Sequence, residues 1–134
     1  MYESIESQNY TNYKVIHVDD NSNDGTLKVV NAIIKNSSVL SKRVTLIVQP
    51  RQMNSLYNRN FSYSFCGEDD IIVDMDSDDW LIGKQVFQLV NTVYQQGGNT
   101  YNKSEQTDTW AVYFNLIRVK TGVITYYTKG NVPL

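Results

Sequence analysis

The spacing of apolar residues changes several times along the chain, between the every-second pattern of strands and the three-and-four pattern of helices. A β-rich run at residues 13–18 is followed by helical spacing over residues 27–34, where Asp24 or Thr26 can cap the helix. A second run at residues 44–48 ends at Pro50. The next helical stretch, residues 52–65, is marked by an apolar stripe at every fourth position: Met53, Tyr57, Phe61 and Phe65.

The rest of the pattern predicts a third strand, a third helix and a hairpin. Residues 71–73 form the third apolar run, and residues 82–93 show helical spacing that Gly97 and Gly98 end. A polar loop over residues 99–108 then leads into the hairpin. We expect its strands at residues 110–116 and 123–127, with a turn at Lys120, Thr121 and Gly122.

Strands that alternate with helices indicate right-handed crossovers and a parallel sheet. The predicted fold is therefore α/β, with a mostly parallel sheet, flanking helices and a C-terminal β-hairpin. We expect a single domain over residues 1–134, because a chain of 134 residues is long enough to bury a core of its own.

Composition narrows the class of protein. Hydrophobic residues make up 41% of the chain and charged residues 19%, which is typical of a folded globular protein. The net charge of −2 provides no excess of positive charge to attract nucleic acid, so a nucleic-acid-binding protein is not indicated. No apolar stretch approaches the roughly 18 residues of a transmembrane helix, and the N-terminus lacks a signal-peptide pattern. A cytoplasmic location is therefore the default expectation.

Carboxylates crowd the ends of two predicted strands. Asp74, Asp76, Asp78 and Asp79 follow the third apolar run, and a second acidic turn begins with Asp19 and Asp20 after the first run. Carboxylates this close repel one another, so a cation is expected among them. In parallel α/β sheets, ligands bind beyond the carboxyl ends of the strands, and both clusters fall there.

Asp76 and Asp78 form a D-x-D pattern whose side chains can converge on one hard cation and its bound phosphates. Mg²⁺ and Mn²⁺ both suit such oxygen ligands. The alternative is a solvated acidic turn that caps the helix that follows. We expect Asp79 to cap that helix, because Trp80 and Leu81 begin its apolar pattern. Asp74 lies within the strand pattern and is a weaker candidate.

Asp19 and Asp20 can accept hydrogen bonds from a nucleoside base or from ribose hydroxyls. The alternative is an Asx-type turn leading into the next helix, for which residues 21–25 are well suited, and the two roles are compatible. His17 and Cys66 are interpreted as packing residues, and one cysteine excludes an intrachain disulfide or a cysteine-based zinc cluster.

A calcium loop of the EF-hand type is the competing interpretation of the first cluster. Asp20, Ser22, Asp24 and Gly25 match its first positions. The twelfth position, which needs Glu, is Asn31, and the preceding segment is β-rich rather than helical. The second cluster fails at the equivalent positions too, so calcium is disfavoured.

Two segments, YKVIHVDDNSNDGT and QMNSLYNRNFSYSFCGEDDIIVDMDSDDWL, resemble family 2 glycosyltransferases of the GT-A fold. The first is similar to the family's strand and Asp-Asp turn, and the second to its Arg-Asn helix, Gly-Glu and Asp-x-Asp-Asp motifs. The resemblance covers roughly residues 3–85. It implies a Rossmann-like GT-A nucleotide-binding half and inverting transfer of a sugar from a nucleotide diphosphate sugar to an acceptor hydroxyl.

By motif position, the resemblance implies that Asp19, Asp20 and Asn54 bind the nucleoside, with Asn54 near the base. Asp76 would contact the nucleotide-sugar, and Asp76 with Asp78 would form the D-x-D site for Mn²⁺ or Mg²⁺. Arg59 and Asn60 match the Arg-Asn pair, for which a mainly structural role is open. A UDP-sugar is the favoured donor.

Departures from the family pattern suggest a partial domain. Family members normally begin with one more strand, whereas residues 1–8 look like the end of the helix that follows it. The general base is expected outside this chain, so no catalytic residue is nominated, and Asp108 has no matching motif. A rival interpretation is a non-catalytic, self-associating interaction module with a degenerate glycosyltransferase fold, for which dimers or larger homo-oligomers are expected.

Overall fold

The computed structural model describes residues 1–95 and the strand residues 116–120 and 123–127. The chain divides into two compact units, Met1–Asn91 and Thr92–Leu134. In chain order, the elements are α1 (Tyr2–Glu6), β1 (Val15–Asp19), α2 (Thr26–Asn36), α3 (Leu40–Arg43), β2 (Val44–Val48), α4 (Ser55–Tyr63), α5 (Val86–Gln95), β3 (Leu116–Lys120) and β4 (Val123–Tyr127).

The sheet of the first unit is a parallel pair, β1 with β2, as the strand–helix–strand pattern predicted. Its register runs from Val15 opposite Val44 to Asp19 opposite Val48. The backbone N–H of Gln49 donates to the carbonyl of Asp19 at 2.9 Å, which extends the pairing one residue past β2. Helices α2 and α3 connect the strands, as a parallel pair requires a crossover.

The core of this unit lies where α1, α2 and α3 meet the sheet. Tyr2, Val30 and Leu40 are buried against one another, with Val44 and Leu46 of β2 packed beside them. Leu40 is the most buried, at 1% exposure. Burying one such leucine contributes roughly 1.5–3 kcal/mol. Helix α3 was not predicted, because four residues are too few to show helical periodicity.

Gln8 joins the N-terminal segment to the start of α5. Its side-chain amide donates to the carbonyls of Ser4 at 2.9 Å and Gly83 at 2.7 Å. Its oxygen accepts from the backbone N–H of Val86 at 2.9 Å. Gln8 is 7% exposed, so this buried amide is satisfied on both sides and caps α5 from a distance in sequence.

His17 of β1 packs against α1, which agrees with its interpretation as a packing residue. Its ring stacks on Tyr2 at 5.7 Å between centroids, and its Nδ1 lies 2.7 Å from the Tyr2 hydroxyl. Burial lowers the pKa of His17, while Asp19 opposes that shift. Burial also raises the pKa of Tyr2 to about 12. The neutral ring is therefore the favoured form in the folded chain.

The predicted third strand is wrong in the described structure. Residues 71–73 form no strand, and within residues 1–95 the sheet holds only β1 and β2. Ile72 and Val73 are 46% and 40% exposed, so the run is not buried as a parallel strand would be. An apolar run supplies strand propensity, but a strand also needs a hydrogen-bonding neighbour.

The predicted role of Asp79 as a helix cap is also wrong. Helix α5 begins at Val86 rather than near residue 82, and Gln8 accepts from its first N–H groups. Ile82 is 58% exposed, outside the helix that its spacing was taken to start. The other predicted helices, α2 and α4, form within a few residues of their expected bounds.

The second unit contains the antiparallel pair β3 and β4, with Lys120 opposite Val123 and Leu116 opposite Tyr127. The hairpin prediction is confirmed, and β4 matches the expected residues 123–127. The placement of Lys120 in the turn is wrong, because β3 continues through Lys120. The predicted glycine stop at Gly97 and Gly98, the loop over residues 99–108, the strand residues 110–115, the turn residues Thr121 and Gly122, and Asp108 lie outside the described residues.

None of the helices in the described ranges has both the length and the apolar character needed to cross a membrane.

Candidate functional site

The first acidic turn (residues 19–25) leaves the carboxyl end of β1 and is tied together by its own side chains. Asp19 is 5% exposed, and its Oδ1 accepts from the backbone N–H of Ser22 at 2.8 Å. Asp24 Oδ1 accepts from the N–H of Thr26 at 3.0 Å. Gly25, at the helix N-cap, has a φ of 88°, which favours glycine. The predicted Asx-type turn is confirmed.

Asp20 connects this turn to the start of α4. Its two carboxylate oxygens accept from the backbone N–H groups of Met53 at 2.6 Å and Asn54 at 3.2 Å. The Asn58 side chain, followed by these backbone groups, lowers the pKa of Asp20. Gln49 donates to the Asn58 oxygen at 3.1 Å, which leaves the Asn58 amide free to donate to Asp20.

Asn54 is the N-cap of α4. Its side-chain oxygen accepts from the backbone N–H of Tyr57 at 3.0 Å, and its φ is 72°. With a ψ of 162°, this backbone lies in a region that glycine occupies almost alone, so the position is strained. The residue expected near a nucleoside base is thus placed as a helix cap beside Asp20.

The second acidic turn (residues 74–79) is held to α4 by one arginine. Arg59 Nε lies 3.2 Å from Asp74 Oδ2, and its Nη2 lies 2.6 Å from Asp76 Oδ1. Asp76, followed by Asp74, raises the pKa of Arg59. Asp74, which the pattern made a weaker candidate, therefore shares the same counter-charge as the D-x-D residue Asp76.

The tip of this second turn is open. The N–H of Asp79 donates to the carbonyl of Asp76 at 3.0 Å, and both Asp76 and Asp78 are exposed. Among the described residues, the structure gathers no group of three or more His, Cys, Asp or Glu side chains suited to a metal ion. The D-x-D pair by itself therefore offers oxygen ligands of the right kind but too few of them.

A second ion pair anchors the segment that leads to this turn. Lys14 Nζ lies 2.6 Å from Asp70 Oδ2 and donates to the carbonyl of Phe65 at 3.1 Å. The N–H of Gly67 also donates to Asp70 at 2.8 Å. Lys14 and then Gly67 lower the pKa of Asp70. The residue before β1 and the residue before the run at 71–73 are thus linked through side chains.

Both acidic turns open into one cleft of about 1180 Å³. Its walls come from β1, from α4 and from the segment over residues 69–77, together with residues of α1, α2, α5 and the segment over residues 10–14. The structure brings together three of the predicted site residues at this cleft, whereas Asn54 and Asp78 are not among the described residues that line it. The polar lining at the carboxyl end of β1 comprises Asp19, Asp20, Ser22, Asn58, Arg59, Asp74 and Asp76.

Asn58 is the site residue that the sequence reasoning missed. It lies one turn of helix beyond the cap Asn54, on the face of α4 that meets Asp20. A polar residue four positions after a cap is a weak signal, because most such residues face solvent. Its role depends on Gln49, which only the tertiary structure brings beside it.

Comparison with known proteins identifies one match. The family described as "Glycosyl transferase family 2" matches residues 1–129. No curated protein and no solved structure shows a significant match to the chain.

Proposed function

The chain belongs to glycosyl transferase family 2, and from this premise we propose that its cleft binds a nucleotide diphosphate sugar through a divalent metal and the D-x-D turn. Membership indicates sugar transfer in general and a GT-A, Rossmann-like α/β fold. The finer proposal is inverting transfer to an acceptor hydroxyl, with a UDP-sugar as the favoured donor. Its main support is that Asp20, Arg59 and Asp76 line one cleft.

The nucleoside half of the proposed site is the edge formed by Asp19, Asp20 and the start of α4. Asp20 already accepts two backbone N–H groups, so its carboxylate is fixed in place without a ligand. Its remaining acceptor capacity can serve a ribose hydroxyl or a base N–H. Asn54, beside it, would set the shape of this edge rather than bind through its capped oxygen.

The diphosphate half is the second acidic turn with Arg59. Carboxylate oxygens suit Mg²⁺ or Mn²⁺, and we assign Asp76 and Asp78 to hold the metal, with the remaining ligands supplied by phosphate oxygens. When bound, the metal would offset the diphosphate charge and stabilise the departing nucleoside diphosphate. Arg59 can pair with phosphate oxygens through its planar guanidinium. No described residue is assigned as the general base.

Calorimetric titration of UDP into the full chain, with and without Mn²⁺, tests this proposal. We expect affinity that requires Mn²⁺ and falls at least about 10-fold in Asp78→Ala, because even residues that only orient a metal ligand contribute roughly 10–100-fold to metal affinity. Glu6→Ala is the matched control, because it removes an exposed carboxylate of α1 that lies outside the cleft lining and both acidic turns. Absence of binding for both UDP and GDP would overturn the proposal for this chain.

Exposed apolar side chains favour a second candidate function, a self-associating interaction module. Leu56 is 77% exposed, Ile82 58% and Trp80 54%, and the run at residues 71–73 has no strand partner within residues 1–95. Exposed apolar surface marks protein contacts where the side chains form a contiguous patch. Sedimentation velocity should then show concentration-dependent dimers that Leu56→Ser weakens. A strictly monomeric chain at high concentration would contradict this candidate.

A further inference from the structure

Arg59 is the one described cation that the second acidic turn contacts in an ion pair, and it bridges two of the turn's carboxylates at once. It reaches Asp74 through Nε and Asp76 through Nη2. All three side chains are substantially exposed, at 43%, 43% and 62%. Exposed ion pairs contribute little to stability, so holding the fold together is a weak reason for this arrangement.

We propose that Arg59 is a resident counter-ion of the second acidic turn, which competes with a free divalent cation and couples metal binding to nucleotide binding. The inference rests on the proposed function, since it concerns how the diphosphate half-site is filled. Without nucleotide, Arg59 pairs with Asp74 and Asp76. When a diphosphate is present, the guanidinium exchanges Asp76 for phosphate oxygens, which frees the carboxylate for the metal site.

The direction of the coupling follows from the charges. Asp74 and Asp76 together carry two negative charges, of which Arg59 neutralises one. A divalent cation that approaches the pair alone meets both a partly neutralised turn and the repulsion of the guanidinium. A diphosphate supplies negative charge that can pair with both Arg59 and the divalent metal. Its oxygens accept hydrogen bonds from the guanidinium group as well as carboxylate oxygens do.

Helix α4 places Arg59 where this exchange is possible. Asn58, the preceding residue, contacts Asp20 at the nucleoside edge, while Arg59 contacts the diphosphate edge. The helix is anchored at its N-terminus by Asp20 and capped by Asn54. Only the arginine side chain, which is 43% exposed, then has to move.

The test measures Mn²⁺ binding by the electron paramagnetic resonance signal of free Mn²⁺, in the full chain, without and with UDP. In the absence of UDP, Arg59→Gln should bind Mn²⁺ at least about fivefold tighter than wild type. The increase in Mn²⁺ affinity that UDP causes should be at least about fivefold smaller in this variant. Fivefold is the lower end of typical coupling between two binding sites. Arg59→Lys keeps the charge without the fork, so it should keep weak Mn²⁺ binding and lose part of the coupling.

Lys35→Gln is the matched control, because it removes the same charge from an exposed position in the last turn of α2, outside the cleft lining. It should leave Mn²⁺ affinity and coupling within twofold of wild type, and thermal melts of all variants check folding. If wild type binds UDP with Mn²⁺ but Arg59→Gln behaves like wild type, the role of Arg59 is overturned alone. If wild type does not bind UDP with Mn²⁺, the proposed function and the coupling both fail.

Discussion

The two acidic turns are both rich in aspartate, but their carboxylates bind different kinds of partner. In the first acidic turn, Asp19 and Asp20 accept backbone N–H groups from Ser22, Met53 and Asn54, and Asp19 is buried. In the second, Asp74 and Asp76 bind one side-chain cation at the surface. Carboxylates bonded to backbone are part of the fold, whereas carboxylates paired with an exposed arginine can exchange partners. The first turn therefore serves as a scaffold and the second as an adaptable charge site.

The largest expected effect is a loss of ligand affinity with almost no change in the free energy of unfolding. The double change Asp76→Asn and Asp78→Asn should lower the affinity for UDP in Mn²⁺ by about 100-fold or more, because neutral amides are poor ligands for a hard cation. Stability in urea should stay within about 0.5 kcal/mol, as for other surface changes. A large loss of stability would show that the second turn is a scaffold too.

The second effect concerns the cap at Asn54. Asn54→Ala should cost about 1–2 kcal/mol of unfolding free energy, because it removes the acceptor for Tyr57 while the strain of the positive-φ backbone remains. Asn54→Gly also removes the cap but relieves the backbone, so its cost should be only a few tenths of a kcal/mol. Urea denaturation measures both. Equal costs in the two variants would argue against strain at this position.

The third effect tests Asp19 as a turn former. Asp19→Ala should destabilise the chain by about 1–2 kcal/mol, because it leaves the N–H of Ser22 without its acceptor beside a buried site. Asp19→Asn keeps an acceptor oxygen of the same shape and should retain most of the stability. If denaturant midpoints fall equally for the two variants, the negative charge matters more than the hydrogen bond.

The smallest effect is a pH dependence at His17, on the buried side of β1. Because burial lowers its pKa in the folded chain, the unfolded chain binds the proton more readily. The stability that neutral His17 contributes is complete above its ordinary pKa of 6.5 and is lost as the pH falls below that value. Denaturation of wild type and His17→Gln across this range should show wild type losing more stability. A pH-independent difference would contradict this assignment.

Much of the fold was predictable because local spacing reports local structure. The strands β1, β2 and β4 and the helices α2 and α4 follow from apolar periodicity and from turn residues such as Gly25. The apolar run at residues 71–73 misled because a strand requires a partner, and within residues 1–95 the sheet stops at β1 and β2. Helix α5 started late because Gln8, far away in sequence, supplies its N-terminal acceptor.

The candidate site divides in the same way. Residue types and spacing alone identified Asp19, Asp20, Asp76 and Asp78 as the chemical groups of interest, because carboxylates crowded together repel one another and favour a cation. The partners of these groups were decided by tertiary structure. Only the packing of α4 against β1 brings Asn58 to Asp20 and Arg59 to Asp76, since hydrogen bonds and ion pairs depend on distances that neighbouring residues in sequence do not set.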